Sequence, residues 1–333
     1  MANSKHLKLL SIGPQAIDEW QQSHPYDQLD LREADLREHD LQKANLVEAD
    51  LTGACLDNMD LLQTRLTGAV VSYASMKSTN LERAILTGAT GIHCSLSGSN
   101  LTGAHFDQAD FSWSDLSRIV ADDADFSAAE LVQSNFSDSK LPRASFADAV
   151  LIRASFARVD ATDASFRDAD LVDAVLREAV LAECCFVGAR LIHADLCGAN
   201  LHKSILGDVE LSDLRHADLS NADLEQSRIV NSNLNGADLH NASLIKADLR
   251  GADLRGADVT NVNFADAVLA GARLGNVQVG QQEFWNNLNT SGSQPRHLDQ
   301  LKEKWEVVES PSMYGRPTYI LRNRTGESPH VHP

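Results

Sequence analysis

Residues 44–56 read Ala44-Asn45-Leu46-Val47-Glu48-Ala49-Asp50-Leu51-Thr52-Gly53-Ala54-Cys55-Leu56, with leucine at every fifth position and alanine two residues before each. The beat runs outward in both directions. From Leu31 to Leu211 it fills 37 consecutive positions, mostly with Leu or Phe, and a small residue usually sits two places before each. A period of five suits neither regular element, because five helical residues rotate a side chain by about 500° and five strand residues flip it to the opposite face. The chain must therefore turn within each unit. If a unit is a short extended piece followed by a corner, the large residue (the centre) and the small residue two before it (the minus-two position) point the same way. The remaining residues, rich in Asp, Asn, Ser, Thr, Gly and Arg, fall to the corner and the solvent side.

The number of units per coil follows from alignment of like with like. Phe106, Phe126, Phe146, Phe166 and Phe186 recur at twenty-residue spacing, as do Phe136 and Phe156, so four units make one coil and the rings form an inner aromatic column. Charges agree. Arg118, Asp138, Arg158 and Glu178 alternate in sign at the same spacing, as do Arg153, Asp173 and His193, and Asp123, Arg143 and Asp163. Residues one coil apart would lie about 4.8 Å apart, the strand-pairing distance, so these sets predict surface charge ladders.

Ala34-Asp35-Leu36-Arg37-Glu38, Ala49-Asp50-Leu51-Thr52-Gly53 and Ala252-Asp253-Leu254-Arg255-Gly256 resemble the A(D/N)LxX signature of the pentapeptide-repeat family. The resemblance covers roughly residues 28–280. It implies an all-β fold, a right-handed quadrilateral β-helix with a square cross-section. With 51 units and four per coil, the chain would form about 12–13 coils and a solenoid on the order of 60 Å long.

Departures from the beat make further expectations. At Ile119/Ala121 and Val159/Ala161 the large and small residues exchange places, which conserves layer volume. Gly91 occupies a centre and predicts a local irregularity. After Leu211 the next centre is Leu214, three residues on, and the beat resumes to Val279. Counting Leu211–Leu214 as one side returns Phe264 and Phe284 to the aromatic column; a small corner bulge is the alternative. Residues 1–27 and 281–333 lie outside the beat and read as an amino-terminal helical cap and a carboxyl-terminal cap with a flexible tail, since a solenoid's open ends need covering. Pro14–Gln22 predicts a short helix, Arg296–Trp305 another, and Thr318–Leu321 a strand.

Composition bounds the setting. The formal charge of −18 disfavours nonspecific nucleic-acid or membrane attraction, and no apolar run reaches membrane-spanning length, so a cytoplasmic location is expected. Cys94 and Cys184 take small inward positions while Cys55, Cys185 and Cys197 face outward, an arrangement that predicts reduced thiols.

Chemistry is sparse. The acidic cluster Asp107, Asp110, Asp115, Asp122, Asp123, Asp125, Glu130 and Asp138, with Arg118 among it, spreads over successive sides as a belt. Several members have stacked basic partners. Asp110 over Glu130 remains a like-charge pair open to a basic partner or cation. His93 and His193 stand five coils apart, and His330 and His332 lie in the tail. Lys246, Arg250 and Arg255 occupy three successive sides, which argues against direct nucleic-acid binding. No catalytic, metal or cofactor motif occurs, so no cofactor and no enzyme activity are expected. The outward apolar residues Trp113, Ile152, Val172 and Ile192 fall in units of one side and form a contact candidate.

Two function classes survive. One is a noncatalytic scaffold whose flat faces bind an unidentified protein partner. The other rests on the family resemblance: some members mimic duplex DNA, bind gyrase or another type II topoisomerase and protect it from poisons. The charge summed by side gives only modest negative totals, and the long polar tail differs from the compact dimerisation element of those members. Monomer and end-to-end dimer both stay open.

Overall fold

The computed structural model describes residues 2–207, 214–279, 305–310 and 318–323. The chain divides into two compact units, Met1–Val175 and Leu176–Pro333.

In the first unit most corners are built from the same local parts. The minus-two N–H closes a turn onto the preceding centre's carbonyl, as in Ala54 to Leu51 at 2.9 Å. The second residue after the centre takes positive φ, +59° at Arg143 and +68° at Gly53, the hallmark of a type II turn. The Asp or Asn before the centre accepts from the backbone N–H of the residue after it, Asp50 Oδ1 from Thr52 at 3.0 Å and Asn100 Oδ1 from Thr102 at 3.1 Å. Such a contact replaces a backbone partner at the corner, which is the physical reason for Asp or Asn in that place.

Coils join through single-residue parallel bridges between residues twenty apart, from Asp30↔Asp50 to Ser155↔Val175. Among the described residues most centre N–H groups, though not that of Leu41, donate to the carbonyl before the next coil's centre, as in Leu51 to Val70 at 2.7 Å, and the residue before the centre donates down, as in Asp50 to Leu29 at 2.8 Å. The buried backbone is thereby paired. The register gives four sides, named here in chain order by their centres: a first with Val71, Gly91, Phe111, Leu131, Leu151 and Leu171; a second with Leu116, Phe136 and Phe156; a third with Ala121, Leu141 and Ala161; a fourth with Phe106, Phe126, Phe146 and Phe166.

Centres and minus-two residues fill the core. Phe126 and Phe146 stack at 5.0 Å, Phe146 and Phe166 at 5.1 Å, and Phe136 and Phe156 at 4.8 Å. The two columns also meet edge-on across the interior, Phe136 on Phe146 at 5.5 Å. Ile119/Ala121 and Val159/Ala161 are all buried, as their exchanged volumes predict. Buried minus-two hydroxyls bond the previous coil's centre carbonyl, Thr79 to Leu56 at 2.9 Å and Ser99 to Met76 at 2.7 Å.

Gly91 departs from expectation. Bridges, turn and hydrogen bonds continue through it, because the Phe111 ring one coil on occupies the space its side chain would take; an added Cβ would lie 2.4 Å from Phe111 Cε1. The layer is filled by its neighbour.

At the amino end two helices precede the first coil, α1 (Ser4–Ile12) and α2 (Pro14–Ser23). The sequence beat marked only α2. Asn3 caps α1 by accepting from Lys5 N–H at 3.0 Å, and Gly13, at φ +120°, makes the turn between the helices. Leu10 and Ile17 are buried. The cap is pinned to the first coil by Asn3 N–H to Asp30 O at 3.2 Å and by Asp30 N–H to His6 Nδ1 at 2.9 Å. Trp20 packs edge-on against His6 at 4.7 Å and stacks on His24 at 5.0 Å.

The second unit uses the same coil, with parallel partners twenty residues apart at Val180↔Asn200 and Asp218↔Asp238. Phe186 and Phe264 are buried within it. Around the break the spacing becomes twenty-three: Asp195↔Asp218, Asn200↔Asp223, and β1 (Ile205–Gly207) paired with β2 (Arg228–Ile229) through Ile205↔Arg228. Leu214 therefore takes the side that Leu211 was expected to take, and the three additional residues fall within 207–213. The reading of Leu211–Leu214 as a whole side fails; the corner-bulge alternative falls on residues 208–213, outside the described residues. As a result Phe264 stacks above Leu244 and Leu224, on the side after Leu219 and Leu239, away from the column of Phe186, Leu206 and Ile229. Phe284 and Trp285 lie outside the described residues.

At the carboxyl end β3 (Gln278–Val279) pairs in parallel fashion below, Asp258↔Gln278, and antiparallel above with β5 (Thr318–Asn323), which pairs with β4 (Trp305–Ser310). An antiparallel sheet thus closes the last coil's open edge. Thr318–Leu321 is strand, as expected. Trp305 begins β4, so the helix expected to reach it does not; the rest of Arg296–Trp305 and the tail lie outside the described residues.

Candidate functional site: the first side of the first unit

Outward positions on a side are the residue before the centre, the residue after it, and the corner residue at positive φ. On the first side the structure brings Asp110, Glu130, Trp113, Ile152 and Val172 together: Asp110 and Glu130 are bridge partners, Ile152 and Val172 sit one coil apart, and Trp113 takes the corner. Ile192 belongs to the second unit, half-buried in the corresponding place after its own centre, Leu191. Asp110 Oδ1 accepts from Ser112 N–H at 3.0 Å, and among the described residues neither Asp110 nor Glu130 has an ion-pair partner.

Sequence reasoning missed the corner column beside this face. Tyr73, His93 and Trp113 stack, with centroids 5.4 and 5.6 Å apart, and Trp113 Nε1 donates to Gln133 Oε1 at 3.0 Å. Tyr73 is 65% exposed and Trp113 48%. All three have φ near +60°, a conformation that costs a bulky L-residue about 1–2 kcal/mol. Twenty-residue spacing of aromatics at corner positions would have revealed them. Ile92 and Val132 join Ile152 and Val172 as half-buried residues next to the ridge.

The charge ladders form in part. Arg158 grips Asp138 through two bonds of 2.7 and 2.8 Å, Arg143 grips Asp123 at 2.7 Å, and Arg153 meets Asp173 at 3.3 Å. Arg158 and Arg143 hold the Asp138 and Asp123 carboxyls below their usual range. Among the described residues no hydrogen bond or ion pair joins Arg118 to Asp138, whose carboxyl Arg118 lowers only through its charge. Glu178 lies exposed in the second unit. Other arginines pair inside their own turn, a Asp-x-Arg signal the ladder reading passed over: Asp30–Arg32 and Asp35–Arg37, with Arg250 on Asp248 and Arg255 on Asp253. All five cysteines are free thiols; burial pushes Cys94 up to about 12.

The acidic belt spreads over several sides, with one local gathering. His105, Asp107 and Asp125 sit on the fourth side with their donor atoms within 4.8 Å of one another. In the second unit His202, Asp223 and Glu225 do the same. The His93–His193 comparison had no reach to these, because each set spans only one coil-to-coil step.

The chain belongs to the pentapeptide-repeat family. The pentapeptide repeat region model matches residues 91–166, and the pentapeptide repeats (8 copies) model matches 28–63, 174–213, 211–244 and 247–279. Among solved structures, the chain is similar to HetL, a pentapeptide repeat protein involved in heterocyst differentiation regulation from the cyanobacterium Nostoc sp. strain PCC 7120, at 28% identity and TM-score 0.43, over 70% of this chain and 88% of that one. It is also similar to QnrB1, a plasmid-mediated fluoroquinolone resistance protein, at 18% identity and TM-score 0.47, over 61% of this chain and 99% of QnrB1. A third is Rfr23 from the cyanobacterium Cyanothece 51142, at 31% identity and TM-score 0.19, over 31% and 60%. No curated protein sequence matches the chain.

Proposed function

We propose that the protein is a noncatalytic scaffold, a right-handed four-sided β-helix acting in the cytoplasm, and that the first side of its amino-terminal unit binds a protein partner. The supporting observation is the exposed ridge Tyr73–His93–Trp113 beside the apolar strip Ile92, Val132, Ile152 and Val172, with unpaired Asp110 and Glu130 on the same face. Aromatic anchors next to apolar surface, with charge at hand for orientation, are the composition of protein-binding hot spots. The filled core supports the noncatalytic reading, since its centres and minus-two residues leave no room for a substrate. Affinity capture from the native host with wild-type protein and with a Tyr73→Ala, Trp113→Ala variant tests it. The expected result is a partner retained by wild type and lost by the variant; the same protein retained equally by both would refute the face assignment.

A second reading, a DNA mimic that binds gyrase or another type II topoisomerase, draws on the formal charge of −18. The column Asp195, Asp218, Asp238 and Asp258, bridge partners in the second unit, also supports it, but many carboxylates face their own turn N–H groups or an arginine, which makes it the weaker reading. A supercoiling assay with and without a fluoroquinolone separates the two; inhibition or rescue at micromolar protein would favour the mimic.

A further inference from the structure

We propose that His105, Asp107 and Asp125 form a binding site for a divalent transition-metal cation of the Zn2+ type on the fourth side of the first unit. The site follows from coil geometry. His105 and Asp107 flank the inward centre Phe106 and so both face outward; Asp125 lies directly over His105 as its bridge partner, and Ser127 lies over Asp107. Two flanking positions on two coils make a square of four outward side chains, and three of its corners carry metal donors within 4.8 Å of one another.

Each carboxylate is oriented by one oxygen and leaves the other open. Asp125 Oδ1 accepts from Ser127 N–H at 2.9 Å, and Asp107 Oδ1 accepts from the Thr87 hydroxyl at 2.9 Å. Metal-ligating carboxylates need such outer partners to fix their direction. No hydrogen bond joins the three donors to one another. No Lys or Arg pairs with Asp107 or Asp125 among the described residues, whereas Asp123, Asp138 and Asp173 each meet an arginine one coil away. Two carboxylates are therefore held beside an imidazole without a lysine or arginine partner among the described residues. One imidazole nitrogen and two carboxylate oxygens suit Zn2+ and its neighbours, with a fourth position left for water; the Ser127 hydroxyl is engaged with Ser145 Oγ at 2.8 Å.

The second unit repeats the layout. His202, Asp223 and Glu225 again occupy three corners of such a square; Asp223 Oδ1 accepts from Glu225 N–H at 2.9 Å, Glu225 Oε1 accepts from Gln226 Nε2 at 3.2 Å, and His202 Nδ1 stands 4.0 Å from Asp223 Oδ2. Because that set could bind the same ion, the test uses the full chain with His202→Ala. Isothermal titration with Zn2+ is expected to show one equivalent bound. Adding His105→Ala, or Asp107→Asn with Asp125→Asn, is expected to weaken it at least about tenfold, while Asp123→Asn leaves it unchanged. Circular dichroism melts identify any variant that has lost its fold, and these exposed substitutions are expected to keep it. Absence of binding in the His202→Ala protein, or an isotherm that His105→Ala does not alter, would overturn the assignment.

Discussion

Gly91 and Phe111 show how one residue's absence becomes another's place. The Phe111 ring sits where a side chain at position 91 would go, 2.4 Å from the site of its Cβ, so Gly91→Ala overpacks the layer and is expected to cost about 1–3 kcal/mol in chemical denaturation. Phe111→Leu in the same chain is expected to recover part of that loss; strict additivity of the two changes would disprove the coupling. From sequence, position 91 reads as a defect, because a one-dimensional beat has no account of volume lent by the next coil. Asp30 gives a second residue-scale prediction. The Arg32 guanidinium, bonded to it at 2.9 Å, holds its carboxyl down to about 2. A depressed folded value means its contribution is present above the ordinary carboxylate range, about 4, and is lost as pH falls toward 2. Asp30→Asn is therefore expected to melt below wild type at pH 7 and to converge with it near pH 2; curves that stay parallel throughout would contradict the pairing.

At the scale of elements, the coil was nearly all legible and the ends were not. Twenty-residue recurrence of Phe126, Phe146 and Phe166 encodes the bridges directly, since like must stack on like. The break between Leu206 and Leu214 was legible as a change of beat but not in its sense, because spacing alone does not tell a lost side from three additional residues; only the pairing Asp195↔Asp218 does. Helix α1 escaped because it buries few apolar residues, Leu10 above all, and is anchored by polar contacts that leave no period, Asn3 N–H to Asp30 O and Asp30 N–H to His6 Nδ1. Replacing His6 by Leu leaves that N–H without its acceptor, at an expected cost of about 1–3 kcal/mol. Hydrogen exchange at Asp30 should accelerate in His6→Leu, while the Phe146 amide, deep in the coil, exchanges at its wild-type rate in proportion to global stability.

At the scale of the molecule, the repeat determines where outward residues lie but not what they meet. The sequence placed Trp113, Ile152 and Val172 on one side through their spacing, yet the ridge was hidden because Tyr73, His93 and Trp113 differ in type and share only a corner. Positive φ is shared by nearly all corners of the coil, so it is the run of three stacked rings, two of them strongly exposed, that supplies the argument for function. A glycine would hold that corner without the conformational cost, as Gly53 does one coil below Tyr73, so stability alone does not select three aromatic rings there. Trp113→Gly is thus expected to leave the melting temperature near that of wild type, the relief of strain offsetting the loss of stacking on His93, while weakening partner binding by about 2 kcal/mol or more, as loss of a tryptophan anchor does. Trp113→Gly measured by both melting and binding separates the two roles: a large drop in stability with unchanged binding would make the ridge a structural strut, and Val120→Asp on the third side, also exposed, should leave binding intact if the first side is the one that meets the partner.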